Sequence, residues 1–126
     1  MGKAIEYFTS HQYVVSLPLN DTQSYDLIVE KDNIVSRVQV KTTRYSETPN
    51  TYTVQLKSAG GTANKQVRPF DNTKSELLFV LTGNNKTYLI PTKDITAKNS
   101  INIGNKYTEY EVFSKTLEQY VLELEE

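Results

Sequence analysis

Asp26, Gln39 and Lys41 are the residues whose types and spacing in this chain can do chemistry together. Asp32-Asn33 reads as a two-residue turn between strand-like runs, so that Lys31 pairs with Ile34 and the pairing proceeds outward from there. In that register Asp26 falls opposite Gln39 on one face of the hairpin, and Lys41 follows two residues on. Arg37 and Ile28 share the face nearer the turn, whereas Tyr25, Leu27, Val29, Val38 and Val40 point to the other. A one-residue slip would send the three polar residues to opposite faces, which makes the register a definite expectation. Mg²⁺ takes oxygen ligands and often needs only one or two carboxylates, keeping several waters. Asp26 would be its principal ligand, and the carbonyl of Gln39 or of Val40 could add another oxygen. Lys41 could orient an attacking water or stabilise charge building on a phosphate. A metal and a lysine are together what phosphodiester hydrolysis requires. A cross-strand charge pair on a solvated face would use the same residues, and spacing alone leaves both readings open.

The elements that would position this trio follow from local pattern. Ala4, Ile5 and Phe8 have helical spacing within residues 2–11. Strand-like runs come next, at Tyr13–Pro18, Ser24–Lys31, Ile34–Thr42 and Thr51–Lys57. Ser46–Asn50 and Ser58–Asn64, the second with Gly60-Gly61, read as loops. Leu77–Thr82 and Thr87–Ile90 look like buried strands joined by Gly83-Asn84-Asn85, Pro91 ends the second, and Thr92–Ala97 suits one helical turn. Leu117, Tyr120, Val121 and Leu124 repeat at i, i+3, i+4 and i+7, the stripe of an amphipathic closing helix over Ser114–Leu124. A helix, an antiparallel meander, further strands and a closing helix predict an α/β fold around a mixed sheet.

Composition narrows the function classes. With no cysteine there can be no disulfide, thiolate zinc site or cysteine nucleophile, and with His11 as the one histidine there can be no multi-histidine metal site. The chain's 126 residues suit a single domain over 1–126, and the absence of a long apolar run or signal-type N-terminus predicts a cytoplasmic protein without a membrane partner. Net charge is −1, but its distribution is uneven. Arg37, Lys41, Arg44, Lys57, Lys65, Arg68 and Lys74 face only Glu47 and Asp71 in the middle of the chain, a local +5 that leaves −6 elsewhere. Such a middle can present a phosphate-binding surface, or simply solvated strand faces.

The runs Tyr25-Asp26-Leu27-Ile28-Val29 and Arg37-Val38-Gln39-Val40-Lys41-Thr42-Thr43 resemble the core of the PD-(D/E)XK endonuclease superfamily. Within it they are most similar to the small bacterial members related to group I intron-encoded homing endonucleases. The resemblance extends through Tyr52–Leu56 and Tyr88-Leu89-Ile90-Pro91 and so covers most of residues 2–95. It implies a restriction-endonuclease-like core with a mixed β-sheet flanked by helices, a divalent metal (Mg²⁺, with Mn²⁺ as a substitute) and phosphodiester cleavage in DNA. It also implies Asp26 as the metal-binding aspartate, Lys41 as the catalytic lysine and Glu6 as a helix glutamate aimed at the metal. Gln39 departs from the family pattern, standing where the motif has Asp or Glu and removing one anionic ligand. Tyr25 stands where the motif has proline.

Arg44 and Tyr45, just past the lysine strand, and Lys57, Lys65 and Arg68 in the basic segment are candidate DNA contacts. His11 suits a helix C-cap better than a general base. Tyr107, Tyr110 and Tyr120 suit the core rim or a subunit interface, and the acidic Glu123, Glu125 and Glu126 should face away from phosphate. The leading expectation is a Mg²⁺-dependent DNA endonuclease acting as a homodimer or higher homo-oligomer, because cutting two strands needs two active sites. Two other classes stay open. One is a nucleic-acid-binding module of the same fold that has lost cleavage, which Gln39 would explain; the other is an interaction protein whose basic middle docks an acidic partner. Within the nuclease class, junction-resolving or repair cleavage competes with sequence-specific cleavage.

Overall fold

A computed structural model of the chain describes residues 1–20, 22–44, 48, 51–59 and 67–125. It opens with helix α1 (Gly2–Ser10), which buries Ala4, Tyr7 and Phe8. The helix ends in a Schellman arrangement: Tyr13 N–H reaches the Phe8 carbonyl at 2.9 Å and Gln12 N–H reaches Thr9 at 3.0 Å. Gln12 takes the left-handed conformation this requires, at φ 65°, and the Tyr13 ring meets Phe8 edge-on at 5.1 Å. His11 is the C-cap residue, and its ring Nε2 lies 2.9 Å from the Phe113 carbonyl oxygen.

Among the described residues the main sheet has six strands. β1 (Val14–Ser16), β2 (Leu27–Lys31) and β3 (Ile34–Thr43) form the expected antiparallel meander. Lys31 pairs with Ile34 and Leu27 with Val38, the register anticipated from the turn. Asp32 and Asn33 both have positive φ, 54° and 66°, as a type I′ turn demands. The chain then crosses over so that β3 pairs in parallel with β7 (Leu77–Thr82), which makes the sheet mixed. β8 (Thr87–Pro91) returns antiparallel, and β10 (Glu111–Val112) closes that edge. A 3-10 turn at Thr92–Asp94 follows β8.

The sheet carries a core on each face. Leu27, Val29, Val38 and Phe79 point toward α1 and are fully buried with Ala4 and Phe8. Leu78, Val80, Tyr88 and Ile90 point the other way, into a second core with Val54, Leu56, Ile101 and Ile103. That second face is covered by a two-stranded ribbon, β4 (Tyr52–Gln55) against β9 (Ser100–Ile103). β5 (Ser58–Ala59) and β6 (Val67–Arg68) form a further short antiparallel pair. Ser58 and Ala59 are therefore strand where a loop was expected, because Val67-Arg68 supplies a partner across the intervening residues.

The closing helix forms as α2 (Leu117–Glu125), opened by a capping box in which Thr116 and Gln119 exchange side-chain-to-backbone hydrogen bonds of 2.9 and 3.2 Å. Leu117 and Leu124 of its apolar stripe face solvent, 79% and 61% exposed. The layer opposite α1 is thus a β-ribbon and not this helix. Among the described residues no helix is long and apolar enough to cross a membrane.

Candidate nuclease site

β3 outruns its neighbour β2, and this mismatch creates the site. Beyond the Leu27–Val38 pair, the edge of β3 from Gln39 onward has no further strand partner on that side among the described residues, and Asp26 fills the position. Its backbone N–H donates to the Val38 carbonyl at 2.8 Å, while its carboxylate Oδ2 accepts the Val40 N–H at 2.8 Å. The carboxylate is thus held at the strand edge by a charge-assisted hydrogen bond. Along an extended strand the N–H and C=O of one residue leave on the same edge, so the Val40 carbonyl emerges beside Asp26. Asp26 is half-buried.

The parallel register sets the faces of the remaining residues. Gln39 pairs with Leu78 and Lys41 with Val80, which places both on the ribbon-covered face, whereas Val38 and Val40 face α1. Gln39 and Lys41 are half-buried. Lys41 enters a groove that it lines with Thr43, Arg44, Thr53 and Gln55. Thr43 pins the two walls together, its hydroxyl donating to the Thr53 carbonyl at 2.7 Å. Arg44 also lines a neighbouring groove with Tyr52, Thr82, Gly83 and Asn85. The chain passes close there: a Cβ on Gly83 would sit 3.2 Å from the Tyr52 ring and 3.3 Å from the Arg44 Cα.

Other sequence expectations meet different outcomes. Tyr25 does not continue the alternation of β2: its ring centre lies 6.0 Å from the Arg37 guanidinium, because the strand begins only at Leu27. Arg37, counted among the middle cations, is held by Glu76, with Nε 3.0 Å from Oε1, and also donates to the Thr73 carbonyl at 3.1 Å. The Arg37 hydrogen bond keeps the Glu76 carboxyl below its ordinary range, and the same bond raises Arg37. Glu76 lies 39 residues from Arg37, beyond the reach of any local spacing rule. Glu6 is exposed, on the side of α1 away from Ala4 and Phe8, with Lys3 Nζ 3.8 Å from its carboxylate. Arg44, Lys57 and Arg68 are exposed, and Tyr45 and Lys65 lie outside the described residues, as does most of Ser46–Asn50. Tyr107 and Tyr110 pack at the rim of the second core, as expected. Burial and the neighbouring acids Glu111 and Asp94 raise Tyr88 and Tyr110 respectively: Tyr88 chiefly by burial, Tyr110 chiefly by its hydrogen bond to Asp94.

Comparison with known proteins decides the family. The model of the PD-(D/E)XK endonucleases matches residues 2–117. The chain belongs to the PD-(D/E)XK endonuclease family. A solved structure of a bacterial homing endonuclease, I-Ssp6803I, superimposes with a TM-score of 0.73 at 21% identity, covering 98% of this chain and 87% of that one. At that identity the likeness speaks for the fold, a restriction-endonuclease-like α/β core. None of the curated proteins matches the chain significantly. The resemblance drawn from the Asp26 and Gln39-Val40-Lys41 runs is thereby borne out at the level of family and fold.

The family's use of divalent metals bears on the donors present. Asp26 Oδ2, the Val40 carbonyl and the Gln39 amide are all oxygen donors, the set that suits Mg²⁺ with retained waters. Among the described residues no three His, Cys, Asp or Glu side chains cluster as a metal site. Asp26 supplies the one carboxylate of that donor set.

Proposed function

We propose that the protein is a Mg²⁺-dependent DNA endonuclease whose centre is the edge of β3 at Asp26, Val40 and Lys41. The observation that carries this reading is the Asp26 carboxylate fixed on the Val40 N–H, one residue before a lysine that lines an open groove. Asp26 and the Val40 carbonyl would hold the ion, with Mn²⁺ able to replace it, and Gln39 would add a neutral oxygen. When bound, the ion supplies charge neutralisation and a more acidic water. Lys41, on the groove wall, would place its ammonium against the scissile phosphate and stabilise the charge developing there. Glu6 would contribute only after its side chain left Lys3 and turned toward the end of the sheet. Arg44 at the groove junction, with Tyr45, Lys57, Lys65 and Arg68, would contact the DNA backbone. Catalysis would be housed in one nuclease domain over residues 1–126.

Two-strand cleavage calls for two copies, and the exposed apolar side chains of Phe113, Leu117, Leu122 and Leu124 support self-association. Gln39 favours a second reading, a binding module without cleavage, because it leaves the site one anion short. Incubation of purified protein with supercoiled plasmid separates the two. Nicked or linear product in Mg²⁺ and none in EDTA is the expected result. DNA retention without product in either Mg²⁺ or Mn²⁺ would establish the binding module instead.

A further inference from the structure

The β4–β9 ribbon has two faces of opposite character. Val54, Ile101 and Ile103 point inward and complete the second core. The alternating positions Thr53, Gln55, Ser100 and Asn102 point outward, with Thr53 opposite Asn102 and Gln55 opposite Ser100. All four are uncharged hydrogen-bonding side chains in a chain of which 23% is charged. Gln55 and Asn102 are exposed, and the Thr53 hydroxyl donates to Asn102 Oδ1 at 2.9 Å, which fixes the plane of that amide. The sequence around the two strands is rich in cations, and Asp71 lies near Lys98. Residues 48–70 carry Lys57, Lys65 and Arg68 with no acid, and residues 95–108 carry Lys98 and Lys106 with no acid. The acids concentrate elsewhere: Glu109, Glu111, Glu118, Glu123, Glu125 and Glu126 share the last stretch with Lys115 alone.

We infer that the outward face of the β4–β9 ribbon reads base edges in the DNA major groove, with Gln55 and Asn102 as specificity-determining residues. This rests on the nuclease reading above and adds to it where sequence selection occurs. A two-stranded ribbon fits the major groove of B-DNA, and Gln and Asn are the side chains that pair with both N6 and N7 of adenine. Alternate residues on one strand face stand about 6.8 Å apart, close to two base-pair steps of about 3.4 Å. Thr53 and Gln55 also line the Lys41 groove, so a duplex read by the ribbon has its backbone beside the catalytic lysine. The exposed Arg44, Lys57, Arg68 and Lys98 supply phosphate contacts around that face.

Selection of a duplex library with a randomised centre, by retention on the protein with Ca²⁺ in place of Mg²⁺, tests this. Wild type should enrich a defined sequence. Gln55→Ala and Asn102→Ala, both at exposed positions that leave the core intact, should each flatten the preference at one or two base pairs by roughly 5- to 100-fold. Lys57→Ala should weaken retention of all sequences alike and lower the salt slope by about one. A wild-type preference left unchanged by both ribbon variants would overturn the inference while leaving the nuclease reading intact. Retention with no preference, or no retention at all, would also overturn it. Selection that succeeds where plasmid nicking fails would sustain the base-reading face and remove only the catalytic reading.

Discussion

Replacing Asp26 with Ala and with Asn separates its structural from its chemical role. The carboxylate accepts the Val40 N–H at 2.8 Å at a half-buried position on the edge of β3 that β2 does not reach. A hydrogen bond to a charged group contributes about 1.5–3 kcal/mol, and partial exposure lets water take over the freed N–H, so the low end applies. Asp26→Ala should therefore cost about 1–1.5 kcal/mol, whereas Asp26→Asn, which keeps a neutral acceptor, should cost about 0.5 kcal/mol. In a chain of this size that corresponds to a fall in Tm of roughly 3–8 °C for Ala and roughly 1–3 °C for Asn. Urea titrations should show the same order in midpoint with an unchanged slope. Under the proposed function Mg²⁺ should raise the stability of wild type, by about 2.7 kcal/mol at a hundredfold excess over Kd, and leave both variants unaffected. An Ala variant as stable as wild type without metal would refute the Asp26–Val40 bond. Equal Mg²⁺ stabilisation of all three would remove Asp26 from the ion.

Three further outcomes follow from other parts of the fold. Because Arg37 lowers the Glu76 carboxyl below its ordinary 4.5, the pair's contribution is complete above that pH and is lost as pH falls through the folded value. The gap in urea midpoint between wild type and Glu76→Gln should thus be largest at neutral pH and shrink below about 4.5; a gap independent of pH would contradict the pairing. Gln12 holds the left-handed position of the α1 cap, so Gln12→Gly should stabilise by about 0.5–1 kcal/mol in the same titration, and a loss would show that the cap differs. If α2 mediates self-association, Leu117→Glu with Leu124→Glu should reduce the mass seen by light scattering to that of one chain, and an unchanged mass would place the interface elsewhere.

Much of the site's frame was legible because it is local. Asp32-Asn33 and the alternation around it dictated the β2–β3 register, and an uninterrupted apolar run marked β7. What escaped depended on distant partners. Ser100–Ile103 is short and half polar, and it becomes strand only because Tyr52–Gln55 lies beside it. The apolar stripe of α2 signalled a helix correctly, but periodicity says nothing of what, if anything, covers the stripe. At the site itself, alternation alone put Asp26 across from Gln39. The strand stops one residue earlier, and the carboxylate turns instead to the strand edge at Val40. Arg37 counted toward the basic middle of the chain, but Glu76, distant in sequence, pairs with it.

The most direct measurement is the rate of supercoiled-plasmid nicking in Mg²⁺ by wild type, Asp26→Asn and Lys41→Ala purified in parallel. A centre built on Asp26 and Lys41 predicts cleavage by wild type and a loss of at least about 100-fold in each variant, with both still folded by circular dichroism. Equal nicking by all three proteins would contradict it, and the activity would then belong to something other than this site.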